Sequence, residues 1–118
     1  MAAYQKFKLS GSTNGKLIKV TGTTSGAAVT VHTADPTLAD EIVLSAYNND
    51  TVDRELTLEW GGVTADDQIK ITIPPKAGMI PVIPIEQHMF LTGSVLLKAF
   101  ADSADKIYLG GCVHRITN

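Results

Sequence analysis

Residues 45–60, SAYNNDTVDRELTLEW, decide how the chain is read. They run as the end of an apolar strand, a polar turn rich in Asn and Asp, and a complete second strand. In that second strand Leu56, Leu58 and Trp60 alternate with Glu55, Thr57 and Glu59. A period of two sends the first set to a buried face and the second to water. The stretch holds no recognisable pairing of nucleophile and base. Its turn therefore reads as a corner in which Asn and Asp side chains bond to backbone groups two residues on.

Working outward, the same alphabet recurs along the chain. Residues 67–73, DQIKITI, place Ile69, Ile71 and Ile73 inward with Lys70 and Thr72 outward, and stop at Pro74-Pro75. Residues 41–47, EIVLSAY, carry the apolar run 42–44 of a well-covered central strand. Residues 4–9, 16–21, 26–33, 94–101 and 106–116 read as further strands, bounded by Gly, Pro, Asn and Asp. Asn14-Gly15 is a hairpin signal that makes the first two strands neighbours. In residues 78–85, GMIPVIPI, Pro81 and Pro84 lack ladder donors, so the segment belongs on an edge or in a crossing. Gly110-Gly111 suggests a bulge or a bend between sheets. Residues 36–41, PTLADE, are readable as one short helical turn.

About eight strands separated by turns define an all-β fold, an antiparallel β-sandwich of jelly-roll or immunoglobulin-like order. Its core is expected from the inward faces of residues 56–60, 69–73 and 95–100. The 118 residues form a single domain, 1–118, with no linker, internal repeat or low-complexity tract. Residues 1–9 are readable as a flexible arm or as the first strand, and the alternation of Phe7 and Leu9 favours the strand.

Composition narrows the function. The chain is 44% hydrophobic and 19% charged with a formal charge of -2, a surface poor in charge that a partner could cover. It offers no field for nucleic acid or an anionic membrane. The basic residues near the start, Lys6, Lys8, Lys16 and Lys19, alternate with apolar neighbours as a solvated strand face does. Cys112 is the only cysteine, so no intrachain disulfide forms, and it reads as a small core residue. No apolar run reaches the ~18 residues of a membrane helix, and no signal-peptide core is present, so synthesis in a reducing cytoplasm as a soluble product is expected.

A search for chemistry gives little. His32, His88 and His114 show no ligand-like spacing, and each is expected in solvent or in a local hydrogen bond. Asp50, Asp53, Asp66 and Asp67 lack the spacing of a helical calcium loop, and Asx turns explain them. No serine lies in a G-x-S-x-G elbow, and neither SGSTNG nor TGTTSG is a phosphate loop. No catalytic residue, cofactor or metal site is expected, so the chain reads as a non-enzyme. A hydrolase would require one of the histidines beside an acid. Among the few aromatic residues, Trp60 points to the core, leaving Tyr47 and Tyr108 as the rings for a ligand face.

Residues 42–84 carry a family resemblance. An apolar strand ending in AYN, the turn DTVDR, a strand closing on WGG, a strand ending in IP and a segment GMIPVIP are similar to small structural proteins of tailed bacteriophages, in particular head decoration or cement proteins. The resemblance implies a protein of the virion head surface, made in the host cytoplasm, that binds the major capsid protein and assembles as a homotrimer. Fibre, neck or tail modules that recognise a host glycan or protein are the alternative. The charge-poor segment 76–91 is the expected subunit contact, through Met79, Ile80, Pro81, Ile83, Pro84, Met89 and Phe90; its alternative is to fold back into its own core. Tyr47 and Tyr108 would serve the alternative ligand face.

Overall fold

The computed structural model describes residues 3–117. The strands are β1 (Tyr4–Lys8), β2 (Ile18–Lys19), β3 (Val29–Thr33), β4 (Asp40–Asn48), β5 (Arg54–Trp60), β6 (Gln68–Ile73), β7 (Ile80–Ile83), β8 (Phe90–Leu91), β9 (Leu96–Ala101) and β10 (Ile107–Ile116). They form an antiparallel sandwich. One sheet runs β1-β10-β4-β7, with β2 paired to β10 and β8 to β4; the other runs β3-β9-β5-β6. Among the eight principal strands every sequential connection except β5 to β6 passes from one sheet to the other. That interleaving is the jelly-roll order and decides between the two sandwich types expected from the pattern.

The core lies where the alternation placed it. Leu56, Leu58, Ile73, Leu97, Ala99 and Ala101 from the smaller sheet meet Ile42, Leu44, Ala46, Ile107, Leu109 and Val113 from the larger one. Burying each large aliphatic side chain is worth about 1.5–3 kcal/mol, enough to fix the pairing of the two faces. Pro81 sits on β7, the outermost strand of its sheet, where a missing ladder donor is tolerated.

The corner at 48–54 is built as its composition implies. Asn48, fully buried, donates from Nδ2 to the carbonyls of Val52 and Ile73 at 2.8 Å each, and its Oδ1 accepts the Asp50 N–H at 2.8 Å. Arg54 Nε donates to Asp50 Oδ2 at 2.8 Å. The turn thereby ties the end of β4 to β6 in the facing sheet.

Several expectations are corrected. β1 and β2 do not pair with each other. Asn14 and Gly15 do adopt positive φ, 57° and 80°, but the turn carries the chain along one edge of β10, which pairs with β1 at 112–116 and β2 at 108–109. Gly110-Gly111 makes no bulge; β10 holds continuous register with β4 from Ile107 to Arg115. The glycines instead permit close approach. A Cβ on Gly111 would lie 2.0 Å from the Val43 carbonyl oxygen, and one on Gly110 would lie 2.8 Å from Leu17 Cδ2 and 3.1 Å from Met79 Cε. The segment 36–41 forms no helical turn: Asp35 Oδ2 accepts the N–H groups of Thr37 and Leu38, an Asx arrangement, and residues 40 and 41 already belong to β4. The first-strand reading of the N-terminal segment holds: residues 4–8 are strand β1, exposed along its whole length, and residues 1 and 2 of the expected arm lie outside the described residues.

The outer side of β5 also departs from expectation. Thr57 and Glu59 are buried, Glu59 to 1% exposure. A 3-10 turn at Ser25–Ala27 brings Ser25 Oγ to Glu59 Oε2 at 2.6 Å, and Gln68 Nε2 reaches the same oxygen at 3.2 Å. Coverage from elsewhere in the chain, invisible to local alternation, closes this face.

Candidate functional site

Register fixes which side chains share the outer face of the larger sheet. Directly paired residues point the same way, so β10 and β4 contribute the pairs Tyr108–Tyr47, Gly110–Ser45, Cys112–Val43 and His114–Glu41. β2 and β1 extend these rows with Lys19 beside Tyr108, Lys8 beside Cys112 and Lys6 beside His114. On the other side β7 adds Pro81 opposite Ser45, and β8 adds Phe90 opposite Glu41.

The row at Gly110 is distinctive. Without a side chain there, Leu17 and Met79 come in from the two flanking connections and lie over the strand. They are 50% and 45% exposed, so two large apolar side chains cover a glycine and remain in water. With Pro81, exposed in the same row, and the Tyr47–Tyr108 pair in the next, they form an apolar stripe across the middle of the sheet. Phe90, 43% exposed, lies at the end of the face nearest Glu41.

The residues expected to make a subunit contact divide between surface and core. Met79, Pro81 and Phe90 are exposed. Ile80 and Met89 are partly buried against the core, and Pro84 is half-buried. Ile83 is 3% exposed and pairs with Leu44 on the inner face, so it cannot meet a partner. The cause is a register shift between Leu44 and Ser45, which reverses the side to which β7 points on passing from Ile83 to Pro81.

Of the three histidines, His88 is in solvent as expected, with its side chain 72% exposed, whereas His32 is buried and His114 is largely covered. Each lies against a carboxylate, so the separation that would set a hydrolase aside is not found. His88 Nδ1 is 2.9 Å from Glu41 Oε2. His114 Nδ1 is 3.6 Å from Glu41 Oε1, its Nε2 is 3.6 Å from Cys112 Sγ, and its ring lies 5.5 Å from that of Tyr4. Cys112 is thus an outer-face thiol in contact with an imidazole, not the core residue expected. The C-V-H spacing carried this signal, since residues two apart on a strand share a face. Among the described residues no group of three or more His, Cys, Asp and Glu is placed to hold a metal ion.

His32 belongs to a second, buried group that joins the sheets. Its Nδ1 accepts the Ser10 N–H at 3.1 Å, so Nε2 carries the proton given to Asp40 Oδ2 at 2.7 Å. Arg115 donates to the same carboxylate, Nε to Oδ1 at 2.7 Å and Nη2 to Oδ2 at 3.1 Å, and its guanidinium stacks 4.5 Å over Phe7. Burial pushes the Asp40 carboxyl up, but the hydrogen bonds from Arg115, His32 and the Asp35 N–H outweigh it and hold the group below the usual range. All of its partners are donors from β3, β10 and the 33–40 connection, so the group is a structural clamp.

Compared with family models, curated proteins and solved structures, the chain matches none. The functional reading therefore rests on the fold and on the apolar stripe.

Proposed function

We propose that this chain is a head decoration, or cement, protein of a tailed bacteriophage, a jelly-roll domain that works by protein contact and not by catalysis. In this reading it is made in the host cytoplasm, associates as a trimer, and seats on the major capsid protein at the outer surface of the head. The observation that carries the reading is the stripe of Leu17, Met79, Pro81, Tyr47 and Tyr108 on the outer face of the larger sheet, in which Leu17 and Met79 are half exposed. Exposed apolar side chains grouped on one face mark a protein contact more strongly than the same residues scattered singly. A small rigid domain repeated by symmetry converts modest contacts into strong attachment through avidity. Jelly rolls also serve viral capsid proteins and lectins, which supports the reading by analogy of fold alone.

The test is the double variant Leu17→Glu, Met79→Glu. Both side chains are already in water, so the domain should fold with an unchanged far-ultraviolet spectrum. Two charges placed in the centre of the contact should weaken association by about thirtyfold or more at each position, taking about 2 kcal/mol for a central apolar contact. Unchanged association of the folded variant would remove the stripe from the interface. Ile83 is unsuited to this test, because a charge there would strike the core.

A second reading, a fibre, neck or tail module that recognises a host-surface glycan or protein, is favoured by one observation. Tyr47 and Tyr108 are direct cross-strand partners on the outer face. Two adjacent rings form a stacking platform for a sugar. Replacing both with Ala should abolish binding on a glycan array while leaving the oligomeric mass unchanged; an array on which the unmodified protein binds nothing counts against this reading.

A further inference from the structure

Two rows on the outer face of the larger sheet, Cys112–Val43 and His114–Glu41, hold a feature that the apolar stripe does not use. Cys112 is the only cysteine of the chain and is partly exposed. A single free thiol is ordinary; this one is backed by an imidazole and a carboxylate in series. Its Sγ lies 3.6 Å from His114 Nε2, a hydrogen-bonding distance for sulfur, and His114 Nδ1 lies 3.6 Å from Glu41 Oε1. The carboxylate is itself held, since Glu41 is 8% exposed and its other oxygen accepts from His88 Nδ1 at 2.9 Å. With a carboxylate facing Nδ1, that nitrogen carries the ring proton of His114, and Nε2 is left as an acceptor aimed at the thiol.

The β1 flank adds positive charge. Lys8 is the direct partner of Cys112 and Lys6 that of His114, and neither forms an ion pair among the described residues. Tyr4 lays its ring against that of His114, and Glu41 and His88 stand on the other flank. Two lysines beside one carboxylate favour the approach of an anionic reactant.

We propose that Cys112 is a modification site that exchanges with small anionic disulfides, with His114 as its base and Glu41 as the residue that positions the base. The thiol proton passes to His114 Nε2 as Sγ attacks one sulfur of the disulfide. The S–S bond of the reactant breaks, a mixed disulfide forms on Cys112, and the departing thiolate takes the proton from Nε2. Cys112 is oxidised and the released half of the reactant is reduced, so the disulfide is the only oxidant required. The step is stoichiometric and does not depend on the contact proposed for the stripe.

The test is the rate at which oxidised glutathione adds to the full chain at about pH 7, followed by intact mass. The folded chain should form the adduct about tenfold faster than the chain unfolded in urea, because only the folded chain holds a base beside the thiol. His114→Gln should remove that advantage at about pH 7 and leave the rate unchanged at about pH 10, where hydroxide replaces the base. Glu41→Gln still accepts from His88 but can turn an N–H toward His114 Nδ1, which moves the ring proton to Nε2; it should slow the reaction at about pH 7 likewise. Cystamine, a cationic disulfide, should gain less from folding than oxidised glutathione does. No acceleration on folding, an unchanged neutral rate in folded His114→Gln, or an equal gain for cystamine would overturn the proposal. Should either variant fail to fold, the other variant and the comparison of folded with unfolded chain keep the proposal open to refutation.

Discussion

Replacing Asp40 with Asn is expected to lower the free energy of unfolding by about 3–5 kcal/mol, the range for removing one partner from a buried ion pair. Asp40 is fully buried, and its two oxygens accept from Arg115 Nε and Nη2, His32 Nε2 and the Asp35 N–H. The Asn side chain has nearly the same shape, but it must turn an NH2 group toward at least one of them. The charge of Arg115 is left without its closest counterion, with only Asp35 Oδ1 at 3.6 Å. His32, 2% exposed, loses the acceptor that fixes its tautomer. Chemical denaturation at neutral pH measures the difference.

The same carboxylate predicts an acid limb. Its folded pKa lies below the unfolded value of about 3.9, so its contribution is complete above that value and is lost as pH falls through the lower, folded one. Asp35, held low by the Leu38 and Thr37 N–H groups, and Asp50, held low by the Thr51 N–H and Arg54, act in the same direction. The unmodified protein should therefore lose stability steeply below about pH 4. Asp40→Asn should flatten that loss, and an equally steep loss in the variant would show that Asp40 is not its main source.

Gly111→Ala is expected to cost about 3 kcal/mol, the upper range for added volume that forces backbone shifts, although the position itself is exposed. The added Cβ would lie 2.0 Å from the Val43 carbonyl oxygen and 3.0 Å from Leu44 Cα, and both are backbone atoms of a central strand. Relief requires β10 and β4 to separate in the middle of their longest ladder. Gly26→Ala is the matched control. A Cβ there meets nothing within 4 Å, and the unfolded chain loses freedom, so this variant should be neutral or more stable by up to about 1 kcal/mol. Thermal unfolding of the two side by side separates close packing from a general effect of removing glycine. Equal behaviour would contradict the packing account.

The strands were legible because period-two burial is a local property. Leu56 and Leu58, Leu97 and Ala99, Leu44 and Ala46 are all inward as alternation requires. The features missed depend on distant chain. Glu59 looked solvated until the turn at Ser25 covered it, 34 residues away in sequence. The Gly110-Gly111 pair suits a bend or a close approach equally well, and Leu17 and Met79 at Gly110 and the Val43 carbonyl at Gly111 decide for the latter. The Asp40–Arg115 contact spans 75 residues with no local pattern to announce it. Ile83 was placed with the surface residues because the shift between Leu44 and Ser45 reverses parity inside a four-residue strand. One signal was local and went unread: Cys112 and His114, two apart on β10, lie on the same face, with Glu41 across from His114.

The proposed function turns on whether copies of the chain meet through the outer face of the larger sheet. Light scattering on a sizing column is the most direct test. The account predicts a mass three times the 12.6 kDa of the chain, falling to that of a single chain for Leu17→Glu, Met79→Glu. A single-chain mass for the unmodified protein at every concentration, or a trimer indifferent to the two charges, would contradict it.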